Sequence, residues 1–92
     1  MENNIAEERV TKGAALLDEQ YPGWAFKINK SQLQLSNYCN CILGQLYGDY
    51  GTGANKLNIE LGNDFGFERS EEISYKELKK YWIIEIEKRL KF

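Results

Sequence analysis

The chain has no histidine, one proline and only two cysteines in its 92 residues. Without an imidazole, every catalytic triad built on histidine is excluded, and a zinc site loses its commonest nitrogen ligand. A structural zinc needs about four nitrogen or sulfur ligands, so Cys39 and Cys41 alone would serve only if two chains shared one metal. Two cysteines separated by one residue also make no disulfide framework of the kind small secreted domains rely on, and a reducing, intracellular setting is the simpler reading.

Charge of one sign is lacking as well. Twelve basic residues stand against 14 acidic ones, a formal −2, which provides no cationic field to hold a nucleic-acid backbone and is not acidic enough for a DNA mimic. No apolar run approaches the length of a membrane span, and the N-terminal MENNIAEERV is acidic and polar where a signal peptide is basic and then apolar. The expectation is a cytoplasmic protein with no membrane contact.

What is present suffices for one core. With 42% hydrophobic and 13% aromatic residues, the chain reads as a single globular domain over 1–92. From about Ile5 to Gln20, apolar or small residues at Ala6, Val10, Gly13, Ala14 and Leu17 have the spacing of an amphipathic helix, with Glu7 and Glu8 where its dipole favours negative charge. Pro22 and Gly23 stop it, and Tyr21 and Trp24 fold back around that turn. Phe26, Ile28, Leu33 and Leu35 flank Asn29-Lys30-Ser31 in a pattern that fits either a short two-stranded ribbon around 24–35 or an extended segment with anchored side chains.

Ser36 is placed to cap a second helix carrying Cys39, Ile42, Leu43 and Leu46 on one stripe, closed by Gly48, with Cys41 turned toward the other side. Gly44 and Gly48, four apart, suit the close approach of a neighbour, and Gln45 on the same helix reads as a satisfied polar group. Thr52 then caps a shorter helical piece with Ala54, Leu57 and Leu61, and Phe65 and Phe67 follow as core anchors between glycines. The C-terminal helix is marked by Ser74 and Glu77 at capping-box spacing, Ile73 and Leu78 at hydrophobic-staple spacing, and Leu78, Trp82, Ile86 and Leu90 every four residues. Lys88, Arg89 and Lys91 put positive charge at its end. The fold class expected is mainly α, a bundle of three to four helices.

The stretch most like a site is NYCNCILGQLYGDYGTG, Asn37 to Gly53. Its glycines Gly48, Gly51 and Gly53 permit positive backbone dihedrals in a turn, and the amides of such a turn, with Lys56 nearby, are able to hold a phosphate-bearing ligand. The spacing is not that of a P-loop, the preceding residues read as helix, and Asp49 repels an anion. Carboxylate pairs such as Asp18 with Glu19, or Asp49 with Asp64, are formally able to do acid–base work, but no spacing fixes their separation, and no activated nucleophile or cofactor motif accompanies them. The protein is therefore read as a non-enzyme. Tyrosine beside glycine and asparagine is a composition favoured at binding surfaces. Tyr47, Tyr50 and Trp24 or Tyr21 are the aromatic candidates, with Asp49, Thr52, Gly53, Asn55 and Lys56 around them; the bland alternative is that these rings roof a small core.

GAALLDEQYPGW (Gly13 to Trp24), CILGQLYGDYGTG (Cys41 to Gly53) and the pair Gly66-Phe67 resemble motifs of small uncharacterised proteins encoded by bacteriophages, prophages and actinomycetes. The likeness covers about two thirds of the chain; NKSQLQLS and the lysine-rich C-terminal helix depart from it. The resemblance carries no activity, metal or cofactor over. It implies an accessory protein that binds a host protein, including components of antiviral defence, and inhibits or redirects it. Two other expectations stand beside it: a binder or sponge for a signalling nucleotide using the Gly48 to Lys56 turn, and a structural or assembly component of a phage particle forming a homo-oligomer.

Overall fold

The computed structural model describes residues 5–91. Among them lie five α-helices and no strand: α1 (Ile5–Gln20), α2 (Trp24–Lys27), α3 (Ile42–Tyr47), α4 (Tyr50–Leu57) and α5 (Tyr75–Leu90), with 3₁₀ turns at Lys30–Gln32 and Gly62–Phe65. The molecule is a small helical bundle. No described helix is long and apolar enough to cross a membrane.

The two long helices form where periodicity and end signals agree. In α1 the buried residues are Ala6, Val10, Gly13, Ala14 and Leu17, and the chain turns at Pro22 and at Gly23, whose φ is +83°. The start of α5 is set by Ser74, whose hydroxyl accepts the Glu77 amide at 3.2 Å, while Ile73 and Leu78 are both buried beside it. Leu78, Trp82 and Ile86 face the core and Leu90 is half-buried.

Three rings form the centre of that core. Trp82 stacks on Phe67 at 5.2 Å between centroids and meets the edge of Trp24 at 5.7 Å, and its indole N–H donates to the Gly66 carbonyl at 2.7 Å. Gly13 permits this arrangement, because a side chain there would strike the Phe65 carbonyl and the Trp82 ring. That ties α1, the 3₁₀ turn before Phe67 and α5 into one packed unit.

The segment 24–35 is not a ribbon. Trp24–Lys27 is helical, and Lys30–Gln32 is a 3₁₀ turn capped by Asn29, whose side chain accepts from the Ser31 amide at 3.1 Å. A strand partner is replaced by one side chain: Gln45 accepts the Asn29 amide at 2.6 Å and donates to the Asn29 and Asn40 carbonyls at 3.2 and 3.0 Å. Ile28, Leu33 and Leu35 are buried as the alternation suggests, but Phe26 is exposed.

The second helix also begins later than its sequence pattern suggests. Ser36 caps nothing; instead the Asn37 side chain accepts the amides of Cys39 and Asn40 at 2.8 and 3.0 Å, holding a turn where helix was expected. The helix starts only at Ile42, with Cys41 as N-cap, its sulfur accepting the Gly44 amide at 3.2 Å. The burial of the cysteines is consequently the reverse of the expectation, with Cys41 buried and Cys39 exposed. Gly44 does admit a close neighbour, the backbone of Tyr38 and Cys39, whereas Gly48 (φ +101°) faces open space.

Candidate functional site

The glycine-rich turn is built around Asp49. Its carboxylate accepts the Thr52 amide at 2.8 Å and the Thr52 hydroxyl at 3.1 Å, so Asp49, and not Thr52, caps α4. These bonds, the amide first, hold its carboxyl below the usual carboxylate range. The helix start that was to receive a phosphate is thus occupied by the chain's own anion. Lys56 lies in the last turn of α4, at the end of the helix opposite those amides. Gly51 and Gly53 are helical, and only Gly48 of the three has a positive φ. The use of Gly53 is steric: a side chain there would press on Leu43 and Tyr47, so glycine lets α4 lie against α3.

The aromatic residues do not assemble as the sequence suggests. Trp24 is 1% exposed and belongs to the interior, where its indole N–H donates to Asp18 at 2.9 Å. Tyr21 and Tyr47 pair edge to face at 5.4 Å, both half-buried, and burial pushes the Tyr47 phenol above its ordinary pKa. Tyr50 pairs elsewhere, with Tyr38, at 6.3 Å between centroids, and its amide donates to the Tyr38 carbonyl at 2.9 Å. Thr52, Asn55 and Lys56 are exposed.

Tyr50 is fixed at its far end too. Its hydroxyl rests against Gly62, where any side chain would collide with it, and donates to the Glu68 carboxylate at 2.8 Å. Desolvation, then the Glu68 hydrogen bond, raises the pKa of this phenol far above the ordinary tyrosine value. The ring therefore spans from Tyr38 to Gly62, the neighbour of Leu61. Tyr38 is 73% exposed and Leu61 60% exposed, and together with Tyr50 they form an apolar face on a rigid base.

Neither Tyr38 nor Leu61 was singled out in the sequence as a surface residue. Tyr38 sits between Asn37 and Cys39 in what reads as a helix, and the available signal was the asparagine pair Asn37 and Asn40, which favours a turn. Leu61 continues the spacing of Ala54 and Leu57, but Asn58 ends α4 in a left-handed conformation (φ 58°) and throws Leu61 outside the stripe. Carboxylates surround the face: Asp49 precedes Tyr50, Glu60 precedes Leu61 and Glu68 holds the Tyr50 hydroxyl, with Arg69 next to Glu68 as the opposing charge.

The carboxylate pairs serve structure. Asp18 is held by Arg89 and Trp24 while Glu19 is exposed, and Asp49 is a cap while Asp64 is exposed on its 3₁₀ turn. Among the described residues no cluster of three or more histidine, cysteine, aspartate or glutamate side chains is arranged to hold a metal ion. Comparison with protein-family models, with curated proteins and with solved structures finds no match to this chain.

Proposed function

We propose that this domain is a non-enzymatic binding module that engages another protein through the face of Tyr38, Tyr50 and Leu61. The observation that supports it is the exposure of Tyr38 (73%) and Leu61 (60%) at the two ends of a Tyr50 ring whose own hydroxyl is locked on Glu68. A side chain pre-organised in this way loses little conformational freedom on binding, which is the economy that tyrosine offers at protein interfaces. Asp49, Glu60 and Glu68 around the apolar centre favour a partner that presents an apolar side chain flanked by lysine or arginine. The resemblance to phage proteins makes a bacterial host protein, including a component of antiviral defence, the first partner to test.

Placing the photo-cross-linker p-benzoylphenylalanine at position 38, and separately at Ile84 on the outer side of α5, tests the reading in the native cell. One protein cross-linked from position 38 and not from 84 supports it. No cross-link from 38, or equal yields from both sites, overturns it.

A further inference from the structure

Beside the aromatic face lies an open cleft of about 620 Å³, lined by Arg9 of α1, Asn63 of the second 3₁₀ turn, the segment from Glu68 to Glu72, and Tyr75 at the start of α5. Two side-chain oxygens in this lining, Asn63 Oδ1 and Ser70 Oγ, are buried without a hydrogen-bond partner among the described residues. Buried oxygens left unpaired cost about 1–3 kcal/mol each, so native structures supply them with a donor. Glu68, Glu71 and Glu72 add three carboxylates to the same lining against two guanidiniums, Arg9 and Arg69, leaving one net negative charge. Glu68 also accepts the Tyr50 hydroxyl at 2.8 Å, so the cleft begins where the aromatic face ends.

We propose that the cleft receives an arginine side chain of the protein that docks on Tyr38 and Leu61, its N–H groups donating to Asn63 Oδ1, Ser70 Oγ and the glutamates. This deepens the binding reading above and rests on it for the identity of the partner. Arginine fits because the acceptors here are several and divergent, and a guanidinium carries five donors in a rigid fork where an ammonium carries three on one atom. Arg9 and Arg69 compete for the same glutamates. A free cation is therefore held weakly, and the contact contributes to specificity as one part of a larger interface.

The test is a titration of the full ¹⁵N-labelled chain with N-acetyl-argininamide, followed by NMR. Saturable shifts at the amides of Asn63, Ser70 and Tyr75 are expected, with a dissociation constant on the order of 1–10 mM. Asn63→Leu weakens binding about tenfold, the loss of one hydrogen bond to a charged group; Ser70→Ala provides the second reading if Asn63→Leu does not fold. Tyr38→Ser leaves the titration unchanged, so the cleft and the aromatic face fail separately. The absence of saturable shifts means the two oxygens bind only water, and the proposal falls. It falls equally if inorganic phosphate, and not the argininamide, moves these amides, which would make Arg9 and Arg69 an anion site.

Discussion

Arg89, in the last turn of α5, donates its Nε and Nη2 to the two carboxylate oxygens of Asp18 near the end of α1, at 2.8 and 2.6 Å, across 71 residues of chain. The arrangement is bidentate, and both partners are held from behind. Trp24 donates to Asp18, its ring lies 5.3 Å from the guanidinium, and Glu85 accepts from Nη1 at 2.8 Å. Side-chain geometry of this kind outweighs an ordinary surface ion pair, although Asp18 remains half exposed and solvent screening limits the gain.

The hydrogen bond from Arg89, more than the opposing effect of burial, holds the Asp18 carboxyl below its ordinary 3.8. The folded protein thus binds this proton less tightly than the unfolded chain, and the ionised carboxylate stabilises the fold above pH 3.8. That contribution disappears as pH falls through the lower folded-state value. Asp18→Asn is expected to cost about 1 kcal/mol at neutral pH and to flatten the acid limb of melting temperature against pH. Acid limbs of equal steepness in the two proteins would contradict the assignment.

Tyr50 has the opposite sign. Its phenol is raised, so its neutral form contributes stability that is complete below the ordinary tyrosine value of 10 and is lost as pH rises toward the folded-state value. Tyr50→Phe should cost about 1 kcal/mol at pH 7 through the lost hydrogen bond to Glu68. Ultraviolet titration of the tyrosinates checks it: the latest-titrating phenol of the native protein should vanish in the variant. If the same late phenol persists, it belongs to another tyrosine.

Thiol reactivity separates the two cysteines. Cys39 is exposed, whereas burial pushes the Cys41 thiol up and its sulfur caps α3. A soluble disulfide reagent should therefore modify one thiol per chain quickly and the second only on unfolding, and Cys39→Ser should remove the fast phase. Cys41→Ala should cost about 1 kcal/mol as a lost N-cap. A fast phase that survives in Cys39→Ser would reverse this placement of the two side chains.

These residues also show what was legible beforehand. Helices α1 and α5 were readable because sixteen residues of periodicity coincide with independent end signals, Pro22-Gly23 and the Ser74 and Ile73 devices. Between 24 and 61 the helices are short, and their limits depend on contacts that no local window contains. Gln45 satisfies a backbone 16 residues away, and that contact decides against a ribbon. Asn37 and Cys41 delay α3, one by a turn of its own and the other by a sulfur cap from a residue type outside the usual cap set. Asp49 and Thr52 are both good caps, and only the observed hydrogen bond chooses Asp49. The candidate site inherited each of these shifts. Trp24 moved inward, the phosphate cradle was filled by Asp49, and Tyr38 and Leu61 emerged at the surface once the turns around Asn37 and Asn58 were in place.

The most direct test of the binding face is the affinity of the protein cross-linked from position 38 for the wild type and for the double variant Tyr38→Ser, Leu61→Ser, each purified and checked for an unchanged melting temperature. Loss of two central apolar contacts predicts binding weaker by about 30-fold or more, with Ile84→Ser as a control that leaves affinity intact. Equal affinity of wild type and double variant, or a wild-type chain that takes up no protein from its native cell, would contradict the account.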